Sequence, residues 1–350
     1  MGASQIPVRR ARAVASLLAG GASAVEAVPR ALVGVQAQDM AAAELAIRAR
    51  TQRCSAHQVR AAVAAGDLVV TWTLRGTRHL HAAEDVRWLL ALFGPVAGRP
   101  RAREHQLGIA GAAGEAGVAA LRRALSTGPL TREGVREVLA PLGIDVTGQA
   151  PIHVVQRAAS EGVLCILPAP GRGGPRAPRT AEDRYVLLDD WVPRERVPQP
   201  GEAAARLAAR YRAAFWPAGA PDFRAWSGLP ARLAGEGWAA AGGDAGPPVT
   251  DPAEPVPLRL AGAFDPLLLG YADRSAQLPP AHAVRVNAGG GMVRPVVYDD
   301  GEVVGTWGWG RSRLVEVAAF GAAPPEAALG DEIADIERFL GAPRPGSGRG

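Results

Sequence analysis

Short helices followed by a pair of strands recur along this chain, and a unit of that kind folds by packing its helices on a small hairpin. The first unit shows the pattern most fully. Pro7 to Leu18 is amphipathic, with Ala11, Val14 and Leu18 on one face, and ends at Gly20-Gly21. Ser23-x-x-Glu26 reads as a capping box for a short helix broken near Pro29. Asp39 caps a helix that begins at Met40, in which Glu44 and Arg48 are spaced for an i,i+4 pair. Ser55-x-x-Gln58 opens a further helix that stops at Gly66. Val70, Trp72 and Leu74 then alternate with Thr71 and Thr73, as a strand with one apolar face does. Arg75-Gly76 fits a tight turn back into Thr77 to His81, and a helix from Ala83 to Phe93 is predicted to stop at Gly94-Pro95. Helices followed by a hairpin are the sequence form of a winged helix.

A second unit follows near Gly117. Val118, Leu121 and Leu125 share a helix face, Thr131 caps the next helix, and a third runs from Pro151 to Glu161. Val163 to Leu167 and Arg184 to Leu188 read as paired strands. The third unit has helices over Glu202 to Phe215, Asp222 to Ser227 and Pro230 to about Gly242. Beyond it the chain turns β-rich. Val256, Leu258 and Leu260 alternate, and Asp299-Asp300-Gly301 joins the strands Val293 to Tyr298 and Glu302 to Trp307. A last helix spans Glu326 to Leu340. The fold class is therefore α+β, with three tandem winged-helix units and a C-terminal β-rich region. The expected boundaries are 1–112, 113–199, 200–250 and 251–342, with a disordered tail at 343–350.

Composition narrows the function only in part. No apolar run is long enough to cross a membrane as a helix, and Met1 to Arg12 lacks the apolar core of a signal peptide, which places the chain in the cytoplasm. Cys54 and Cys165 form no metal or disulfide pattern and read as buried free thiols. The net charge is +5, and all 39 basic residues are arginine. A GC-rich genome accounts for much of that bias, yet the excess is compatible with binding phosphate backbones.

The site candidates begin with Gln36-Ala37-Gln38-Asp39, immediately before the Met40 helix. In extended backbone, residues i and i+2 point the same way, so two neutral amides would stand side by side at a helix mouth. They could hold a water or polar ligand, or simply satisfy nearby backbone. Together with Thr71-Trp72-Thr73-Leu74-Arg75-Gly76-Thr77-x-His79 and Phe264-Asp265-Pro266-Leu267-Leu268-Leu269-Gly270-Tyr271-x-Asp273-Arg274, they decide the matter. In this order the three motifs resemble the tandem winged-helix DNA glycosylases of the AlkZ type, over about Val8 to Leu340, and in the branch with Gln-x-Gln at the catalytic position. The resemblance implies a C-shaped monomer that embraces double-stranded DNA carrying an alkylated guanine. It implies hydrolysis of the N-glycosidic bond without a cofactor or metal, in service of self-resistance to a genotoxic natural product. Gln36 and Gln38 would be catalytic.

Other residues admit more than one reading. Asp39 could be a base, although its position fits a helix cap better. Arg75, Thr77 and His79 occupy motif positions suited to contacting DNA or substrate. His79 and His81 share a strand face, but no third ligand joins them, so DNA contact or packing fits better than metal. Arg172, Arg176 and Arg179 lie in a glycine-rich stretch that reads either as linker or as a backbone-phosphate contact at a wing. Asp265, Tyr271 and Arg274 read either as site residues or as a buried Asp–Arg fastener, and Trp72, Trp88 and Trp226 read as core. A non-catalytic winged-helix regulator and a glycosylase for simple methylated bases are the competing functions.

Overall fold

The computed structural model describes residues 5–97, 102–169, 182–246, 248–249, 252, 254–311 and 314–341. Arg172, Arg176, Arg179 and the tail 343–350 lie outside these residues. The N-terminal part contains α1 (Ile6–Ala15), α2 (Ala27–Leu32), β1 (Val35–Gln36), α3 (Met40–Arg48), α4 (Ala56–Ala65), β2 (Leu68–Trp72), β3 (Arg78–Ala82) and α5 (Ala83–Ala97). Local chemistry sets most of these boundaries. The Asp39 carboxylate accepts from the Ala41 N–H at the start of α3. Ser55 and Gln58 form the capping box of α4, and Gly66 ends that helix in the left-handed region.

Three local signals are overridden. The expected Ser23 box does not start a helix: α2 begins after Glu26 and runs through Pro29. Pro29 falls in the first turn, where a missing N–H has no helical acceptor to leave unsatisfied. Likewise α5 continues through Gly94-Pro95. A side chain at Gly94 would place its Cβ 2.5 Å from the Ser160 carbonyl, so the glycine serves close packing against a later helix. Finally, Glu44 and Arg48 do not pair with each other. The stretch Ala41 to Arg48 is buried throughout, and each charge takes a partner from another element. Glu44 holds Arg60 through two hydrogen bonds of 2.7 and 2.8 Å.

The middle of the chain provides α6 (Ala102–Gln106), α7 (Ala112–Leu125), α8 (Arg132–Leu139), α9 (Ala150–Ser160), β4 (Leu164–Leu167) and β5 (Arg184–Leu187). Thr131 caps α8 as expected, its hydroxyl accepting from Gly134 N–H. The two hairpins join into one antiparallel sheet of order β1-β3-β2-β4-β5, with Val70 opposite Ile166 at the seam. Sequence patterning carried no sign of that union. Then come α10 (Pro200–Phe215), α11 (Ala220–Ser227) and α12 (Ala231–Ala240), which pack around Tyr211, Phe215, Phe223, Trp226 and Trp238.

The C-terminal region contains β6 (Arg259–Ala261), α13 (Pro266–Leu269), α14 (Ala283–Val286), β7 (Asn287–Gly289), β8 (Met292–Val293), β9 (Val296–Asp299), β10 (Glu302–Trp309), β11 (Val315–Ala319) and α15 (Glu326–Leu340). The Asp300-Gly301 turn is as predicted, both residues having positive φ. The expected strand Val293 to Tyr298 is instead divided at Arg294-Pro295, because proline cannot donate to a ladder. Its first part pairs back as β7–β8, a separate small hairpin that sequence reading missed. Gly289-Gly290-Gly291 is the signal that could have found it, since all three have positive φ.

Two arginines of α3 and its C-terminal turn fasten this region to the N-terminal part. Arg48 reaches Glu332 and Asp335 on α15, each at 2.8 Å, and the Leu260 carbonyl of β6. Arg50 is bidentate to Asp265 at 2.8 and 2.9 Å, both side chains wholly buried, and also donates to the carbonyls of Ser16 and Ala46. An Asp265 fastener therefore exists, but its partner is Arg50 and not Arg274. Removing one member strands the other as a buried charge. Arg50→Met or Asp265→Leu alone is expected to cost about 3–5 kcal/mol. The double variant should cost less than the sum of the two, measured by urea unfolding with intrinsic tryptophan fluorescence. Additive losses would show that the pair is not coupled.

Candidate active site

The three motifs of the sequence converge on one cleft. Its volume is about 720 Å³, and it is lined by Gln36, Arg75, Thr77, Phe264, Tyr271 and Arg274 among others, with the β7–β8 hairpin along one side. Gln36 ends the edge strand β1, directly opposite His79 on β3. Arg75 sits in the turn between β2 and β3. Its backbone is left-handed (φ 53°), an uncommon conformation for a residue with a Cβ. The guanidinium donates to the Trp226 carbonyl at the end of α11 and, at 3.4 Å, to the Gln36 side-chain oxygen. Gly228 presses on it from behind: a Cβ there would lie 2.9 Å from Arg75 Cγ. Arg75 thus holds the Gln36 amide at the wall of the cleft through its side-chain oxygen.

Gln38 is placed differently. It is exposed, does not line the cleft, and accepts from the Arg78 backbone N–H at 3.1 Å. The two amides are therefore held by different parts of the same hairpin, Gln36 by its turn and Gln38 by the start of β3. Asp39 serves as the cap of α3. Thr77 lines the cleft and donates its hydroxyl to the Leu74 carbonyl.

His79 lies beneath this surface, only 4 % exposed. Its Nδ1 is 3.1 Å from the Thr77 carbonyl, which can only accept, so Nδ1 carries the proton and Nε2 the lone pair. The ring stacks on His81, whose Nε2 meets the Thr73 hydroxyl at 2.8 Å. Burial lowers both pKa values, that of His79 being lowered further by His81 and Arg75, and His81 is pushed down to about 4. Both rings are neutral near pH 7. Among the described residues no group of His, Cys, Asp and Glu is arranged to hold a metal ion.

Electrostatically the cleft is one-sided. Arg75 and Arg274 both line it, and among the described residues no aspartate or glutamate does. Burial, then the neighbouring Arg274, lowers the Arg75 pKa; burial lowers that of Arg274. Tyr271 is buried, with its hydroxyl donating to the Phe215 carbonyl and Arg12 over its ring face. Arg274 and the β7–β8 hairpin are the site features that sequence reading did not commit to. The motif ending Tyr271-x-Asp273-Arg274 was the available signal for the former.

A mixed α/β chain whose separated motifs build one cationic, amide-bearing cleft is the setting in which family membership becomes clear. Residues 30–339 match the family described as DNA glycosylase AlkZ-like, and the chain belongs to that family of DNA glycosylases. An interstrand DNA cross-link repair glycosylase of Streptomyces sahachiroi is 28% identical over 327 residues, covering 81% of this chain and 82% of that protein. The solved structure of Streptomyces sahachiroi DNA glycosylase AlkZ superposes with a TM-score of 0.79 at 24% identity, covering 98% of each chain. The non-catalytic regulator is thereby set aside.

The buried histidines make stability pH-dependent. A histidine neutral in the native state at about 4 and ordinary at 6.5 when unfolded binds more protons unfolded between those values. Its contribution is present above pH 6.5 and is lost as pH falls towards 4, by roughly 3 kcal/mol for His81. Urea unfolding at pH 7.5 and 5.0 should show this fall, and His81→Gln should reduce it. An unchanged slope in the variant would remove His81 as the source.

Proposed function

We propose that this glycosylase hydrolyses the N-glycosidic bond of N7-alkylguanine in double-stranded DNA, including bulky adducts and those that crosslink the strands. The observation that carries this reading is the composition of the cleft: a positioned amide and two guanidiniums, with no carboxylate among the described residues. Alkylation at N7 gives the base a positive charge, so it departs as a neutral leaving group and needs little help from an acid. What remains for the protein is to place a water and to stabilise developing charge on the sugar. Gln36 does both, its amide held by Arg75. Gln38 assists from the neighbouring strand end. The cross-link repair activity named for the Streptomyces sahachiroi relative supports the adduct class.

The chain works as a monomer. Three tandem winged-helix units, bounded near residues 112, 199 and 250, together with the C-terminal region, form a concave surface around the duplex. Arg75 and Thr77 contact DNA from the first wing. His79 supports them from beneath. Arg172, Arg176 and Arg179, which lie outside the described residues, are the further arginines proposed to meet backbone phosphate. Among the described residues no helix is long and apolar enough to cross a membrane. The enzyme acts on DNA in the cytoplasm, in self-resistance to a genotoxic natural product.

Single-turnover excision of N7-methylguanine from a duplex tests the assignment. Gln36→Ala should lower the rate by about 10²-fold while DNA affinity and fold are retained. Gln38→Ala should lower it as well. Near-wild-type rates in both would sink the catalytic role of the amides.

A crosslinked guanine cannot rotate out of the stack into a closed pocket, as most glycosylases require of their base. The bond must then be attacked from a groove with the base still stacked, in a cleft half open to solvent. Excision should therefore tolerate large N7 substituents. Loss of activity with any group bulkier than methyl would restrict the enzyme to simple methylated bases.

A further inference from the structure

Arg274 has no assigned role, and its surroundings are unusual for a half-buried guanidinium. Among the described residues no carboxylate pairs with it. Its nearest side-chain acceptor is the Asn287 amide oxygen at 3.5 Å, the limit of a hydrogen bond. Arg75 across the same cleft is also without an acid, taking only the Trp226 carbonyl and the Gln36 amide oxygen. Elsewhere in this protein the buried arginines are neutralised: Arg48 by Glu332 and Asp335, Arg50 by Asp265. Two cations in partial burial that line one cavity are expensive unless an anion joins them.

The backbone has been bent to make this arrangement. Arg75 occupies a left-handed conformation that a residue with a Cβ seldom adopts, and Gly228 is packed so tightly behind it that no side chain would fit. Strain of this kind persists where surrounding structure enforces it, and it gathers at binding sites. Arg274 is brought to the same cleft by the turn after α13, which the Asp265–Arg50 pair anchors.

We infer that Arg75 and Arg274 form a two-armed clamp for a single backbone phosphodiester next to the lesion nucleotide, closing on it from the β2–β3 turn and the segment after α13. Resting on the glycosylase reading above, this names the group that registers the glycosidic bond over Gln36. Guanidinium suits the purpose, because its planar donor fork matches phosphate oxygens two at a time. The charge argument points the same way. A cationic base and a cationic transition state would be repelled by two bare guanidiniums, and a bound phosphodiester reduces that pair from +2 to +1. Substrate backbone thus completes the electrostatics of the site.

The test uses the full chain and a duplex with a tetrahydrofuran abasic analogue in place of the lesion, so that binding is read without chemistry. Single linkages near the analogue are replaced in turn by neutral methylphosphonates. Wild-type protein should lose affinity by about tenfold at one linkage beside the analogue, Arg75→Gln and Arg274→Gln should each lose less at that same linkage, and the double variant should be indifferent to the replacement. The double variant should also reduce the salt slope of log K by about one. Arg274→Gln should leave the melting temperature of the free protein unchanged or raised. A methylphosphonate pattern identical in wild type and variants overturns the clamp, as does a melting temperature lowered by Arg274→Gln with DNA affinity intact. These outcomes are separable from failure of the proposed activity, which excision of N7-methylguanine by wild type reads independently.

Discussion

The arrangement of this protein depends on the Arg50–Asp265 pair. A bidentate ion pair with both partners wholly removed from water is unlike a surface bridge, for either group alone would be an uncompensated buried charge. Arg50 also ties the carbonyls of Ser16 and Ala46, and Asp265 caps α13 while accepting from the Tyr298 hydroxyl at 3.2 Å. One contact therefore sets α1, α3, α13 and β9 relative to one another. Its consequence is functional, because Asp265 begins the segment that delivers Tyr271 and Arg274 to the cleft, and Arg50 follows the helix that Gln36 and Gln38 precede.

The sheet supplies the second constraint. By joining β2 to β4, it makes the two hairpins one rigid surface. A turn at the end of such a sheet can hold a strained arginine, since β2 and β3 on one side and α11 on the other leave it little freedom. The polar face of β2 and β3 is part of the same design. Thr73, His79 and His81 occupy it with both rings neutral, the His79 tautomer set by the Thr77 carbonyl and His81 bonded to the Thr73 hydroxyl, which gives Gln36 a floor that does not change charge near pH 7.

The composition of the cleft follows from where the carboxylates of the chain are used. Carboxylates are present in the protein in number, yet those near the core are committed to arginines: Glu44 to Arg60, Glu332 to Arg48 and Arg259, Asp183 to Arg78. Asp39, the acid adjacent to Gln38, is occupied as a helix cap. Amide and guanidinium chemistry is left to face the substrate. That division is what supports the proposed reaction on a base that already carries positive charge.

Much of the chain was legible locally. The Asp39, Ser55 and Thr131 caps, the Gly66 stop, the Arg75-Gly76 turn, the Asp300-Gly301 hairpin and the core tryptophans each follow from a few neighbouring residues, because caps, turns and side-chain periodicity are short-range physics. Motif order also carried the family and drew attention to Gln36. The partners of buried charges were not legible. Glu44 faced Arg48 in sequence but takes Arg60, and Asp265 takes Arg50 from more than two hundred residues away, leaving Arg274 for the cleft. The continuation of α5 through Gly94-Pro95 and the division of Val293 to Tyr298 were likewise settled by packing and by ladder chemistry. Which ions meet is a question of desolvation, and desolvation is known only once every element has taken its place.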